Sequence, residues 1–302
     1  MLGPKLCAVS TASCAVIWGF IGICTKTLSD AGMDSVQINT IRSTVCLIAI
    51  TVVLLAVNRK LFSIRAKDLW ILILTAVTKV MIDVLYIHAQ TTIGLSMAGV
   101  LLSTNCYFAL ALSYLLFRDR IPARRILAAA IGFSGCALAV GVFSGVGELE
   151  VLGICVGLGA GLGEALHAAT FKLSIERNYS ESTVLFYVFL FSTAMLIPFS
   201  NPSEIISAVS GDSQILAVSL AIGLVFTALP YYLYSKGLEG LDIGTVSIIM
   251  FLETATASIL GFAVFGEPLT VFTAAGIAMI FVSVVIMNYG YNDKNAGRRG
   301  TG

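Results

Sequence analysis

The chain is predicted to be an all-α polytopic membrane protein, its ten transmembrane helices arranged as two inverted five-helix repeats. Three observations predict this. Charge is scarce, at 12% of 302 residues against 58% hydrophobic, and mean hydropathy is +0.95. Ten apolar runs each reach the roughly 18–25 residues that a bilayer core of about 30 Å demands of a helix. The sequence also matches itself weakly at an offset close to half its length.

A soluble domain carries about 25% charged residues, and 18 Lys and Arg with 17 Asp and Glu cannot cover a globule of this size with polar surface. A soluble globule and a disordered chain are thereby excluded. A net charge of +1 without a basic face excludes a nucleic-acid partner. The seven cysteines (Cys7, Cys14, Cys24, Cys46, Cys106, Cys136 and Cys155) lie in or beside apolar runs, are odd in number and form no C-x-x-C. They read as small apolar packing residues rather than a disulfide frame or a metal site. The first run is long for a signal peptide and lacks an A-x-A cleavage site.

In chain order the runs are Leu6–Leu28, Ser35–Val57, Asp68–Ala89, Ile93–Phe117 and Arg124–Phe143, then Val151–Leu173, Ser182–Phe199, Ser213–Lys236, Ile243–Phe265 and Leu269–Tyr289. Backbone polar groups in lipid must be satisfied within the segment, so runs this long are helices; barrel strands are about 10 residues and alternate. The longest linker is Ser200–Asp212, which leaves no extramembrane domain. With both termini placed in the cytoplasm, 15 of the 18 Lys and Arg fall on that side. Lys26 alone lies outside, and Arg42 and Lys79 fall within spans. The positive-inside rule therefore predicts a multi-pass protein of the cell membrane with cytoplasmic termini.

At an offset of about 146, Lys26 falls on Lys172, Tyr86 on Tyr232, Gly94 on Gly240, Leu95 on Leu241 and Val100 on Val246. After a two-residue slip, Phe117, Asp119 and Ile121 fall on Phe265, Glu267 and Leu269. Residues 1–147 and 148–290 thus form two five-span repeats, followed by a cytoplasmic tail, 291–302. Five is odd, so the repeats enter the membrane from opposite sides. Secondary transporters share that arrangement, with a substrate site near the midplane.

Trp18-Gly19 in the first span, Gly94-Leu95-Ser96-Met97-Ala98 leading into the fourth and Phe117-Arg118-Asp119-Arg120-Ile121 closing it resemble the drug/metabolite transporter superfamily, in its EamA-like branch. Phe251-Leu252-Glu253-Thr254 with Phe265-Gly266-Glu267-Pro268-Leu269-Thr270 is similar to the L-E-P…G-E-x-L-T pattern of that branch. Thr254 stands where the pattern has proline, so the helix-breaking role of that proline is absent. The resemblance implies a ten-helix transporter with a central cavity, often an exporter of amino acids or other small metabolites. It also implies a family-wide structural or gating role for Glu253.

Ionisable groups within spans cost about 2.5–3.5 kcal/mol each on insertion scales and face a cavity or a partner. Lys79 and Asp83 share a helix face at i,i+4, as a cavity-lining pair or a self-neutralising ion pair. Glu164 and His167, at i,i+3, put a carboxylate beside an imidazole, a candidate proton-coupling pair. Arg42 follows Gln37 and Asn39 and can clamp a carboxylate or phosphate. Trp18, Tyr86, Tyr107, Tyr187, Tyr231, Tyr232 and Tyr234 are candidate cavity-wall aromatics, and Ser103 and Asn105 accompany Tyr107 in the fourth span. Pro230 interrupts the eighth span and frees a carbonyl near Phe226. Gly153, Gly157 and Gly161 mark a close-packing face. Gly132-Phe133-Ser134-Gly135 reads as G-x-S-G, the local pattern of an intramembrane serine hydrolase, but a serine nucleophile needs a base in reach.

No enzyme, cofactor or metal is expected. The expected partners are a small-molecule substrate and the lipid bilayer; a homodimer is allowed. The leading expectation is a secondary exporter working by alternating access. An importer of a cationic or nucleotide-like metabolite is the alternative.

Overall fold

The computed structural model describes residues 3–57, 62–93, 95–119, 121–139, 151–265 and 270–289, and among them the chain is helical without a strand. Gly94, Arg120 and Gly266–Leu269 of the motifs above, and the tail 291–302, lie outside the described residues.

The first repeat runs through α1 (Pro4–Gly19), α2 (Ile21–Asp30), α3 (Ser35–Val57), α4 (Leu69–Ile93), α5 (Leu95–Leu102), α6 (Asn105–Phe117) and α7 (Ala123–Ala139). The second runs through α8 (Val151–Glu176), α9 (Glu181–Leu196), α10 (Pro202–Gly211), α11 (Ser213–Gly223), α12 (Leu229–Gly240), α13 (Ile243–Ile249), α14 (Phe251–Phe265) and α15 (Val271–Tyr289). Eight helical stretches among the described residues are long and apolar enough to cross a bilayer. With α7 and α15 they make ten crossings, because α1–α2, α5–α6, α11–α12 and α13–α14 are each one interrupted span.

Helix ends repeat with the sequence. Asp30 ends α2 and Glu176 ends α8, 146 residues on; Ser35 opens α3 and Glu181 opens α9 at the same offset. Phe117 and Phe265 end α6 and α14, and Ala123 and Val271 open α7 and α15, both at an offset of 148. The repeats are inverted. The turn after α8 meets the one before α4, where Arg177 and Tyr179 bond to Asp68. The start of α8 lies at the other end, with Gly153 against Thr92 and Ile93.

Polar contacts gather the turns at one end, here the terminal face. Ser10 Oγ donates to Leu233 O at 2.9 Å, bringing the start of α1 to α12. Lys236 pairs with Glu181 at 2.7 Å, and Lys172 Nζ donates to Leu241 O at 2.7 Å. At the opposite face, Gln37 Nε2 donates to Glu204 of α10 at 2.9 Å. That helix is a correction to the sequence reading, which has Ser200–Asp212 as a bare linker. Pro202 at its first position is pre-set for a helix, and the left-handed Asn201 turns the chain into it.

Three interruptions are not visible as breaks in the apolar runs. Phe20 separates α1 from α2, Ser103 and Thr104 separate α5 from α6, and Met250 separates α13 from α14. The last two are related by the repeat. The break at Met250 exists although Thr254 replaces the family's proline: Glu253 N–H turns back to Met250 O at 2.9 Å, a three-residue bond instead of a four-residue one. The eighth span takes up Pro230 by widening into a π turn over Leu224–Ala228, where Thr227 Oγ1 donates to Ile222 O at 2.7 Å.

The glycine face of α8 is a seam against α4 and α5. A Cβ added at Gly161 would stand 2.9 Å from Leu101 O, and one at Gly163 would stand 2.7 Å from Met81 Cε. Cys155 is exposed and the other six cysteines are buried, and the described residues hold no disulfide.

Candidate functional site

Tyr231 opens the straight part of α12, one residue after Pro230, and is 7% exposed. Four rings surround it. Trp18 of α1 lies edge-on with centroids 5.1 Å apart, Phe189 of α9 at 5.0 Å, His167 of α8 at 6.2 Å and Tyr234 at 6.4 Å. Trp18 also tilts onto Tyr234 at 5.7 Å, and Phe171 meets both His167 and Tyr234. Edge-to-face geometry suits rings whose faces are electron-rich and whose edges are positive.

Charges border this aromatic core. Lys79 is 3% exposed; its Nζ reaches Asp83 Oδ2 at 2.9 Å and sits 5.5 Å from the centre of the Phe189 ring. The pair is therefore formed within α4 while also bordering the cluster. Arg42 Nη1 donates to Asn39 Oδ1 at 3.0 Å, and its Nε to Thr227 Oγ1 at 3.3 Å. Both partners are neutral. Glu164 lies in the field of Asp83 and Lys79, and Glu253 in that of Glu164 and Arg42. Tyr231 feels Asp83, Glu164 and Arg42 together.

His167 is 2% exposed, and its Nδ1 lies 3.1 Å from Thr75 O. A carbonyl only accepts, so Nδ1 carries the proton and Nε2 of the neutral ring is an acceptor. Nε2 and Trp18 Nε1 are both buried without a hydrogen-bond partner among the described residues. Buried polar groups are paired in most native structures, so one unfilled acceptor and one unfilled donor flank the same tyrosine.

Trp18, Arg42, Lys79, Asp83, Glu164, His167, Tyr231 and Glu253 thus come together from both repeats. Glu164 and His167 share a helix face but no hydrogen bond, because the imidazole is held by α4. Ser103, Asn105 and Tyr107 flank the break in the fourth span. Ser103 Oγ donates to Gly99 O at 2.9 Å, Asn105 Oδ1 is buried and unpartnered among the described residues, and Tyr107, 40% exposed, stacks on Phe133. Tyr232 is 44% exposed and lies under Lys236 instead. Tyr234, three residues from Tyr231 and also among the candidate aromatics, does join the cluster. Phe189, Phe171 and Thr227 carry no signal of their own in a run of apolar residues. Ser134 sits exposed on α7, away from the engaged His167, and no group of His, Cys, Asp and Glu fit to hold a metal occurs among the described residues.

The family model of the EamA-like transporters matches residues 6–141 and 151–289. An uncharacterized transporter of Archaeoglobus fulgidus is 29% identical over 203 residues, 67% of this chain and 70% of that one. The uncharacterized transporter YwfM of Bacillus subtilis is 28% identical over 54% of this chain and 53% of its own. An uncharacterized transporter of Clostridium kluyveri is 24% identical over 78% and 76%. A solved crystal structure superposes with a TM-score of 0.75 at 12% identity, covering 94% of this chain and 97% of that one; it shares the fold.

Proposed function

Since the chain belongs to the EamA-like transporter family, a family of membrane transporters rather than enzymes, we propose that it is a secondary exporter of small metabolites such as amino acids, working by alternating access. The observation that carries this reading is the convergence on Tyr231 of rings and charges from both repeats. A site between inverted repeats is the part of such a fold that two half-motions expose in turn. Arg42, whose hydrogen bonds among the described residues go to the neutral Asn39 and Thr227, is the anchor for a substrate carboxylate, since a guanidinium pairs with a carboxylate through two parallel bonds. The rings of Trp18, Phe189 and Tyr234 take the substrate's apolar part, and His167 Nε2 accepts from its donor. The excess of Lys and Arg at the terminal face supports a cytoplasmic position for it.

Flux of a panel of amino acids into and out of proteoliposomes, with and without a pH gradient, tests the reading. Transport of at least one carboxylate-bearing member that collapses in Arg42→Gln supports it, and no flux of any member overturns it. Glu164 serves as the proton-coupling group: Glu164→Gln loses the pH dependence of net flux while counterflow persists. A second reading, import of a cationic metabolite, draws on the carboxylates of Asp83, Glu164 and Glu253 around the same rings. Uptake of an amine that Arg42→Gln leaves intact would favour it.

A further inference from the structure

The repeats close on each other at both ends of the bundle, and the chemistry of the two closures differs. We propose that the terminal face is an ionic gate and the opposite face an apolar one, so that charge governs only one of the two openings. This rests on the reading of the chain as an alternating-access carrier.

At the terminal face two ionic contacts cross between repeats. Arg125 at the start of α7 meets Asp242 before α13, Nη2 to Oδ2 at 2.7 Å, with side chains 11% and 8% exposed. Asp242 at the same time caps α13, accepting from Thr245 N at 2.9 Å. In the second contact Asp68, 2% exposed, gathers Arg65 of its own repeat at 2.8 Å with Arg177 and Tyr179 of the other. A polar recess lined by Arg65, Arg177, Tyr179 and Ser180 opens beside this cluster.

An inverted repeat carries each of these positions to the opposite face, and there the charges are gone. Arg177 and Tyr179 correspond to Ala31 and Met33; Arg65 and Asp68 correspond to Gly211 and Gln214; Asp242 corresponds to Ser96, and Arg125 to Thr273. In their place Cys24, Leu28, Met33, Ile38 and Ile41 of the first repeat pack on Ile222 of the second. Among the described residues, the hydrogen bond from Gln37 to Glu204 is a polar contact across this face.

The two closures therefore respond to different perturbations. Opening the apolar face wets side chains, at a cost set by the area exposed. Opening the terminal face hydrates ions, and what holds it shut is pairing. Removing Asp242 leaves the Arg125 guanidinium, 11% exposed at the side chain, buried and uncompensated, which penalises the closed form alone.

Hydrogen–deuterium exchange on the full-length protein in lipid nanodiscs reads both faces without a substrate. Asp242→Asn keeps the cap, since Asn is an equally good N-cap, and removes the charge. It is expected to speed exchange at residues 177–185 and 241–248 at least tenfold, leaving 24–38 and 213–223 unchanged. Asp68→Asn leaves Arg65 and Arg177, 57% and 37% exposed, so exchange at 177–185 rises less, by about threefold. Arg125→Lys stays within threefold of the parent, and Arg125→Gln with Asp242→Asn exchanges more slowly than either alone, because no lone charge remains. Leu28→Asn reverses the pattern, accelerating 24–38 and 213–223. Acceleration at both faces together, or none in Asp242→Asn, would overturn the proposal. Because exchange needs no transported compound, a protein that moves nothing yet keeps this pattern defeats the transport reading and leaves the asymmetry of the closures standing.

Discussion

Trp18 of the first repeat stands edge-on to Tyr231 of the second, ring centroids 5.1 Å apart at an interplanar angle of 74°. The contact joins a span that breaks two residues later, at Phe20, to one that has just recovered from a π turn and a proline. Both partners are therefore seated where the helical hydrogen-bond ladder is already interrupted, so their positions can shift at less cost than on an intact helix.

Tyr231→Phe keeps every ring contact and should leave amino-acid counterflow within about threefold. Tyr231→Ala removes the hub of the cluster, a change that costs about 3–5 kcal/mol for a buried ring. It should abolish counterflow and lower the melting temperature of purified protein. Equal transport in both variants would remove the ring from the site.

The Lys79–Asp83 pair should show the asymmetry of a buried ion pair. Lys79 is 4% exposed at the side chain and Asp83 17%. Lys79→Met alone strands a carboxylate and should cost on the order of 3 kcal/mol, whereas Lys79→Met with Asp83→Leu should recover most of it. Melting curves of the two variants decide the matter: a double variant no more stable than the single would mean the pair is not compensating itself.

Arg42→Gln removes the charge but keeps a donor toward Asn39. Loss of a charge-assisted bond is worth about 1.5–3 kcal/mol, so thermal stabilisation by a carboxylate substrate should need at least tenfold more ligand. The unliganded melting temperature should move little. Arg42→Lys should fail to restore affinity, because a point charge does not reproduce the guanidinium fork.

Two glycines should respond with opposite sign. A Cβ at Gly135 would stand 2.8 Å from Gly276 O and 3.0 Å from Ile280 N, backbone atoms that cannot rotate away, while one at Gly22 meets nothing within 4 Å. Gly135→Ala is expected to cost about 1–3 kcal/mol by overpacking, and Gly22→Ala in α2 to gain roughly 0.5–1 kcal/mol. Paired thermal denaturation in one detergent is the check.

A reporter fused after residue 302 should sit in the cytoplasm. A fused β-lactamase would leave cells sensitive, and a fluorescent protein that folds only inside would shine. The reverse pattern would overturn the orientation taken from the Lys and Arg distribution.

The ends of helices are legible in the sequence because a change from apolar to polar residues coincides with the membrane boundary; Ser35, Val151, Phe117 and Phe265 bound helices where the apolar runs begin or stop. Interruptions inside a run are not, since Phe20 and Met250 leave hydropathy unchanged while the backbone bends, and Ser103-Thr104-Asn105 is too short a polar patch to end a span. The amphipathic α10 was hidden for a different reason: ten residues rich in Ser and Ile are too short to register as a span. Within the site, charged residues stand out against an apolar background and aromatic partners do not. Tyr232 draws attention beside Tyr231, yet a 100° step along the helix sends it to the outer surface, under Lys236. The partner of His167 lies 92 residues away on α4, and Arg125 and Asp242 are farther apart still, so no local spacing announces either contact.

The seam of α8 has one more consequence. Helices that interlock by side chains must lift each knob from its hole before one can travel along the other. At Gly153, Gly157 and Gly163 of α8 the missing side chains leave hollows, and Thr92, Ile93, Leu101 and Met81 fill them from the neighbouring helices, so the knobs to be lifted belong to α4 and α5. The contact works as a latch: with those side chains seated and His167 Nδ1 bonded to Thr75 O of α4, α8 and α4 move as one piece, and Glu164 and His167 keep their place relative to Lys79 and Asp83.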